Sequence, residues 1–191
     1  MPPKIQYTKG DLLRAAFSLT STRGIDALNA RAIARELGCS TQPIFRAFHS
    51  MEEIRQEMIR MAMDVYASYI NNSTYLTTKP YLSTGIAYIL FAREERELFK
   101  LLFMCDRTHN GAITDPEDTT LDYVLELVMK STGLSREQAL DFHYHLWIFT
   151  HGLASMIATC YLELDRDQII RLLGDQYRST RLLFGLPPVA E

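Results

Sequence analysis

The chain has 191 residues, and its hydrophobic content of 47% is ample for a packed core in one large or two small domains. Its net charge of -3 argues, taken alone, against a protein that binds nucleic acid. The charge is uneven, because residues 1–50 carry a net charge of +4 and residues 51–191 a net charge of -7. This asymmetry predicts that only the N-terminal region contacts a polyanion, although chance surface variation of a few residues is the alternative.

The cysteines and the N-terminus indicate a cellular location. Cys39, Cys105 and Cys160 are widely separated, and none lies in a CxxC pair. An odd, scattered set favours free thiols in a reducing cytosol over a disulfide framework. Residues 1–9 contain no apolar run after the basic residue, so no signal peptide is expected and the predicted location is cytoplasmic.

One stretch is long enough to cross a bilayer. Phe142 to Leu162 are 21 residues without Asp, Glu, Lys or Arg. The stretch also contains three histidines, two threonines and a serine. Those polar side chains favour a buried helix of a soluble oligomer over a membrane span.

Apolar residues recur at helical spacing along the chain, and no stretch alternates convincingly as a strand would. Capping and breaking residues predict about nine helices, which are Thr8 to Arg23, Ala30 to Leu37, Ser40 to Phe48, Ser50 to about Asn71, Pro80 to about Arg93, Arg96 to Cys105, Asp115 to about Ser131, Ser135 to about Leu162 and Asp165 to about Phe184. The predicted fold class is therefore all-α, with a three-helix head, a long fourth helix and an α-helical body. The predicted core of the head consists of Phe17, Ile33, Leu37, Ile44 and Phe48.

The second and third predicted helices form a helix-turn-helix pattern. Asn29 is placed to cap the second helix, Gly38 breaks the helical period, and Ser40 is the predicted N-cap of the third helix. Two helices joined by a short glycine-containing turn form the motif whose second helix enters the major groove of DNA. The same pattern also occurs in all-α proteins that never contact DNA, so the spacing alone leaves both readings open.

The flanking sequence favours DNA binding. Thr8 to Met61 resembles the N-terminal domain of the tetracycline-repressor (TetR) family of bacterial regulators, in the segments LLRAAFSLTSTRGIDALN, ARAIARELG, STQPIFRAF and HSMEEI. The rest of the chain resembles that family only in length and helical layout. The segment WIFTHG, from Trp147 to Gly152, is similar to a Trp–His–Gly pattern in the C-terminal domain of one TetR subgroup. The resemblance implies a DNA-binding domain in residues 1–50, a ligand-binding and dimerisation domain in residues 51–191, and a fourth helix that links the two.

The third helix supplies most of the candidate DNA contacts. Gln pairs bidentately with adenine, and Arg pairs with guanine or with a phosphate. The candidate DNA-binding residues are Arg31, Ser40, Thr41, Gln42, Phe45, Arg46 and His49. The family usually has Tyr where this chain has Phe45 and Lys where it has Met51. Since both usual residues contact phosphates, the resemblance implies fewer phosphate contacts and a shallower dependence of affinity on salt.

The predicted body is rich in aromatic and methionine side chains, which suit an adaptable apolar pocket, although an ordinary filled core is the alternative. The tentative pocket residues are Met61, Tyr66, Tyr69, Tyr88, Phe91, Phe103, Phe142, Trp147 and His151.

The last two helices are expected to form a dimer interface, as a four-helix bundle with their symmetry mates. The tentative interface residues are Phe149, Leu153, Ile157, Ile169, Leu173, Gln176 and Thr180. His143 and His151 lie about 12 Å apart along one helix, so one metal ion cannot bind both, and no metal site is expected.

Three readings follow. The first is a homodimeric, ligand-responsive regulator, most often a repressor in the resembled family, that binds near-palindromic operator DNA and releases it when a small apolar or aromatic effector binds the body. The second is a small helical enzyme or carrier that uses the aromatic pocket. Against it, the sequence contains no GxGxxG, Walker, HExxH or GxSxG motif, so no enzyme activity and no cofactor are expected. The third is a DNA-binding dimer that responds to no ligand.

Overall fold

The computed structural model describes residues 7–105 and 119–188, and every regular element in those ranges is a helix. The nine α-helices of the described residues are α1 (Lys9–Arg23), α2 (Ala30–Glu36), α3 (Gln42–Ala47), α4 (Met51–Asn71), α5 (Pro80–Glu94), α6 (Arg96–Phe103), α7 (Thr119–Thr132), α8 (Arg136–Ala158) and α9 (Arg166–Leu183). The predicted all-α fold is confirmed. The predicted helix start at Asp115 lies outside the described residues. Within the described ranges, no helix is long and apolar enough to cross a membrane.

The chain forms two compact units, each built from two separate segments. The first unit is Met1–Val65 with Glu95–Cys105, and the second is Tyr66–Glu94 with Asp106–Glu191. The chain therefore leaves the first unit within α4 and returns to it for α6. The predicted functional division at residue 50 stays a prediction, and the contacts place the first part of α4 and all of α6 in the same unit as α2 and α3.

The core of the first unit forms where the apolar faces of its helices meet. Ile33 and Ile44 are at most 1% exposed, and Phe48 is 3% exposed, as predicted for the head. Phe17 and Leu37, also predicted for this core, are only half-buried. Further buried side chains of this unit are Leu12 and Leu19 of α1, Ile54 and Met58 of α4, and Leu98 and Phe99 of α6. A segment of the predicted body, α6, thus completes the core of the first unit by packing on α1.

Short-range capping determines where most helices begin. The Thr8 side chain accepts from the Asp11 amide while the Asp11 carboxylate accepts from the Thr8 amide, so the two residues form a capping box at the predicted start of α1. Ser135 with Gln138 forms the same reciprocal pair at α8. Asp165 caps α9 and also pairs with Gln168. These contacts satisfy backbone N–H groups that the first helical turn leaves without a partner.

Two predicted helix ends differ from the structure, whereas the predicted start of α4 agrees with it. Ser40 does not cap α3, because the helix begins at Gln42 and Thr41 precedes it without a side-chain cap bond. At α4, Ser50 accepts from the Glu53 amide, but the Glu53 carboxylate accepts from the amide of His49 instead of Ser50. The eighth helix ends at Ala158, four residues before the predicted end, and Cys160 follows with a left-handed φ of 58°.

Gly24, which ends α1, should be intolerant of a side chain. Its φ of 80° and ψ of 166° lie in a region that only glycine adopts without strain, and a Cβ there would lie 2.7 Å from Glu97 Oε2. We expect Gly24→Ala to lower the free energy of unfolding by about 1–3 kcal/mol, measured by urea denaturation. Gly10→Ala in the same helix is the control, since its Cβ would make only ordinary contacts at 3.5 Å or more. An equal effect of both substitutions would contradict the backbone argument.

Candidate nucleic-acid interface and effector region

The turn between α2 and α3 is held by backbone and side-chain hydrogen bonds. The Asn29 side chain accepts from the Ala32 amide at 2.9 Å, which confirms Asn29 as the cap of α2. Gly38 has a φ of 63°, and the following amide, of Cys39, donates to the Ala34 carbonyl at 2.9 Å. This geometry reverses the chain within a few residues, as a helix-turn-helix motif requires.

Tyr7 is a further residue at this turn, and sequence reasoning missed it. Its hydroxyl donates to the carbonyl of Leu37, the residue that ends α2. The contact joins residues 30 positions apart, so no local pattern indicates it. It gives a carbonyl group at the helix end a partner and holds Tyr7, two residues before α1, against the turn.

The outward side of α3 carries the predicted recognition residues. Gln42, Phe45 and Arg46 are exposed, and their spacing of three and four residues places them on one helix face. The opposite side is buried through Ile44, which is 1% exposed. Of the other predicted contacts, Arg31 lies on α2 and is exposed. Ser40, Thr41 and His49 adjoin α3 in sequence, with Ser40 and His49 exposed and Thr41 half-buried. We call Gln42, Phe45 and Arg46 the α3 face.

Electrostatics distinguish the arginines of the motif from several other cations of the first unit. Lys9 pairs with Glu53 and Lys100 with Glu97, and Arg14 and Arg60 also pair with carboxylates on their own helices. Among the described residues, Arg31 and Arg46 make no ion pair or side-chain hydrogen bond. Both guanidinium groups thus remain available for phosphates or guanine.

Glu53 fixes the start of α4 directly after α3. Its carboxylate accepts from the His49 amide at 2.8 Å and from Lys9 Nζ at 2.9 Å. The pKa of Glu53 is lowered below its usual value, most by the hydrogen bond from the His49 amide and next by the one from Lys9. The carboxylate therefore stays ionised, and Lys9 offsets a negative charge that would otherwise lie beside the predicted phosphate contacts.

Four of the predicted pocket residues form an aromatic cluster in the second unit. The Tyr66 ring lies 5.9 Å from that of Tyr88 and 5.5 Å from that of Phe91, and Tyr69 lies 5.5 Å from Phe91. The Tyr69 hydroxyl donates to Glu94 at 2.7 Å. Tyr69 also lines an open groove of about 270 Å³ together with Ser68, Asn72, Leu76, Ala87 and Leu90. We call Tyr66, Tyr69, Tyr88 and Phe91 the aromatic cluster.

His151 joins α8 to this cluster through polar contacts. Its Nδ1 lies 2.9 Å from the Tyr88 hydroxyl and its Nε2 lies 3.3 Å from Ser155 Oγ. The Trp147 ring stacks on the imidazole at a centroid distance of 5.1 Å. Burial lowers the pKa of His151 below its usual value of 6.5, which favours the neutral imidazole at pH 7.

The remaining predicted pocket residues lie elsewhere. Met61 and Phe103 belong to the first unit. Phe142 is fully buried in the second unit, with its ring 5.2 Å from Phe184 and 5.7 Å from Tyr177. It belongs to the apolar core between α7, α8 and α9, together with Leu125, Val128 and Leu146.

His143, one turn from Trp147 on α8, is also enclosed in the second unit. Its Nδ1 lies 3.0 Å from the Tyr81 hydroxyl. Burial lowers the pKa of His143 from 6.5 to about 4. The pKa of Tyr81 is raised, chiefly by burial and to a smaller extent by the nearby Tyr177. Both side chains are therefore neutral at pH 7. No group of three or more potential metal-ligating side chains exists among the described residues.

Most side chains of the predicted dimer interface contact their own chain. Five of the seven are buried within it, namely Leu153, Ile157, Ile169, Leu173 and Thr180. Phe149 and Gln176 are half-buried. On the same two helices, Ile148, Leu182 and Leu183 are 64% to 68% exposed. The single chain leaves these side chains uncovered, and the interface itself stays a prediction.

Comparisons with known proteins agree with this geometry. Residues 12–58, which include α2 and α3, match the family described as "Bacterial regulatory proteins, tetR family". Residues 82–177, half of the chain, match "Tetracyclin repressor-like, C-terminal domain". The chain belongs to the TetR family. TetR proteins are DNA-binding transcription regulators, and the two matches and the fold point to that role for this chain. They do not distinguish the Trp–His–Gly subgroup, which stays a prediction.

Solved structures with low sequence identity share the TetR fold. A TetR-like transcriptional regulator from Rhodococcus sp. RHA1 is 16% identical with a TM-score of 0.67, over 97% of this chain and 99% of that chain. A protein of unknown function from the same source is 17% identical with a TM-score of 0.71, over 97% and 98%. A TetR variant from Acinetobacter baumannii AYE in complex with minocycline is 14% identical with a TM-score of 0.55, over 94% and 97%. No curated protein matches the chain.

Proposed function

We propose that this TetR protein is a homodimeric repressor that binds a near-palindromic operator and releases it when a small apolar or aromatic molecule binds the second unit. The observation that carries the DNA-binding part is the α3 face, where exposed Gln42 and Arg46 have no partner among the described residues. Gln42 is suited to adenine, and Arg46 to guanine or a phosphate. Arg31, Ser40, Thr41 and His49 are proposed to contact phosphates beside this face, where they fix its orientation.

The effector part of the proposal rests on the aromatic cluster and on Trp147 and His151. Rings around a few hydrogen-bonding groups are typical of sites that bind drug-sized apolar molecules. Tyr88, His151 and Ser155 supply hydroxyl and imidazole groups within the same region. An effector that binds better to one conformation of the second unit shifts the population away from the conformation that fits DNA.

The homodimer is proposed to form through the outward faces of α8 and α9. Ile148, Leu182 and Leu183 are large apolar side chains that water contacts in the single chain. A two-fold axis next to these helices would bury them and produce two α3 faces with the symmetry of a palindrome. A strictly monomeric protein at micromolar concentration would contradict this arrangement.

The experiment for DNA binding compares two arginine substitutions. Purified protein is titrated against its own upstream DNA, by mobility shift at two salt concentrations. We expect Arg46→Ala to weaken binding at least tenfold, because each lost Arg–base or Arg–phosphate contact occurs in both half-sites. Arg23→Ala is the control, since it removes the same charge from the exposed end of α1. An equal loss in both variants would indicate only a general charge effect and contradict the role of the α3 face.

The experiment for the effector uses the protein's own fluorescence. Trp147 is the only tryptophan and stacks on His151, so its emission reports on the proposed site. Compounds that release DNA in the mobility shift should also change this emission, and denaturing extraction with mass analysis identifies any co-purified molecule. Release without an emission change would place the effector elsewhere. No release by any compound would favour a ligand-independent regulator.

A further inference from the structure

The α3 face contains one side chain that neither hydrogen bonds nor charge explains. Phe45 is 60% exposed, although it shares the α3 face with the polar residues Gln42 and Arg46. The only other large exposed apolar residue described in the first unit is Met104, which lies at the end of α6. The inward side of α3 is already filled by Ile44, and Phe48 follows in the same core. Phe45 therefore adds little to that core, and most of its ring faces outward.

The chemistry of DNA limits what a phenyl ring recognises there. A phenyl group neither donates nor accepts a hydrogen bond, so Phe45 cannot bond to a phosphate or to a polar base edge. In the major groove, the apolar group that identifies a base is the C5-methyl of thymine, and Phe is among the side chains that contact it. Arg46 on this face and Arg31 on α2, which make no ion pair among the described residues, fit the polyanion that carries the methyl group.

We propose that Phe45 is a specificity-determining residue that contacts the C5-methyl group of one thymine in each operator half-site. This inference rests on the proposed DNA-binding function and adds a base assignment to it. Phe45 lies about 4.5 Å from Gln42 along the helix axis, and successive base pairs are about 3.4 Å apart. The contacted thymine thus lies within about two base pairs of the base that Gln42 contacts.

The test removes the methyl group without altering any hydrogen bond. Duplexes are enriched by the full-length protein from a random library, and each thymine of the enriched sequence is replaced in turn by deoxyuridine. Wild-type protein should lose about fourfold in affinity at one thymine per half-site, the factor expected for burying one methyl-sized group. Phe45→Ala should bind the thymine and deoxyuridine duplexes equally at that position and keep the wild-type profile elsewhere.

Two further variants keep the result interpretable. Phe45→Leu retains an apolar side chain and should therefore retain part of the sensitivity at the same thymine. This result would show that the lost sensitivity of Phe45→Ala does not come from a general weakening of DNA binding. Met104→Ala removes the other exposed apolar side chain of the first unit and should leave the wild-type profile unchanged. Thermal melting of every variant verifies folding.

The outcomes separate this inference from the function on which it rests. Sequence-specific binding by the wild type with no sensitive thymine would overturn the inference and leave the regulator intact. The same fourfold loss persisting in Phe45→Ala would also overturn it, since another residue would then contact the methyl group. Binding without any sequence preference would overturn both the inference and the proposed function.

Discussion

Acidification from pH 7 to pH 4 is expected to lower the free energy of unfolding by roughly 3 kcal/mol through His143. Burial lowers the pKa of this side chain from 6.5 to about 4, so between these pH values the unfolded chain binds a proton that the folded chain does not. Stability therefore rises with pH across this window. The His143 contribution is fully present above pH 6.5 and is progressively lost as the pH falls towards 4.

The free energy of unfolding is measured by urea denaturation at intervals between pH 4 and pH 7.5. Because carboxylates titrate in the same range, the contribution of His143 is obtained from the difference between the wild type and a variant. His143→Gln keeps a hydrogen-bonding group near the Tyr81 hydroxyl and removes the titration. It should be less stable than the wild type at pH 7 and approach or exceed the wild type near pH 4. His145→Gln, at an exposed position two residues away, is the comparison variant for the loss of a histidine from the same helix. Parallel curves for wild type and His143→Gln would contradict the argument.

Local interactions explain why most helix boundaries could be predicted. Thr8, Asn29, Ser135 and Asp165 bond to amides three residues ahead, so residue type and spacing are sufficient to identify them. Ser40 has the right residue type for a cap, but α3 starts after it. The left-handed backbone at Cys160 has no sequence signal of its own, because a non-glycine residue there is uncommon.

Helical spacing also predicted the face of α3, since residues three and four apart lie together on any helix. It could not predict which helix contacts which in the second unit. His143 and His151 lie on one helix, yet their tyrosine partners are 62 and 63 residues away in sequence. The same limit explains why Phe142 and Trp147 were assigned to one pocket. Phe142 contacts the core with α7 and α9, whereas Trp147 stacks on His151.

Truncation of Phe142 should reveal whether the side chain belongs to the core or to an effector site. Phe142→Ala is expected to lower the free energy of unfolding by about 3–5 kcal/mol, because it removes a fully buried ring from contacts with Tyr177 and Phe184 and leaves a cavity. A residue that lined an open effector pocket would lose less stability on truncation, and its main effect would be on effector affinity.

Urea denaturation followed by the emission of Trp147, which lies on the same helix, measures the loss in the unit that contains Phe142. Phe45→Ala is the matched control, since it removes the same ring from a position that is 60% exposed and should change stability by no more than about 0.5 kcal/mol. A loss of about 3–5 kcal/mol is a large part of the stability of an ordinary domain, so Phe142→Ala could be unfolded. Phe142→Leu has an expected cost below about 1.5 kcal/mol and is the second variant, because it remains folded. Similar small effects of Phe142→Ala and Phe45→Ala would mean that Phe142 is not part of a packed core, and would favour its predicted place among the effector-pocket residues.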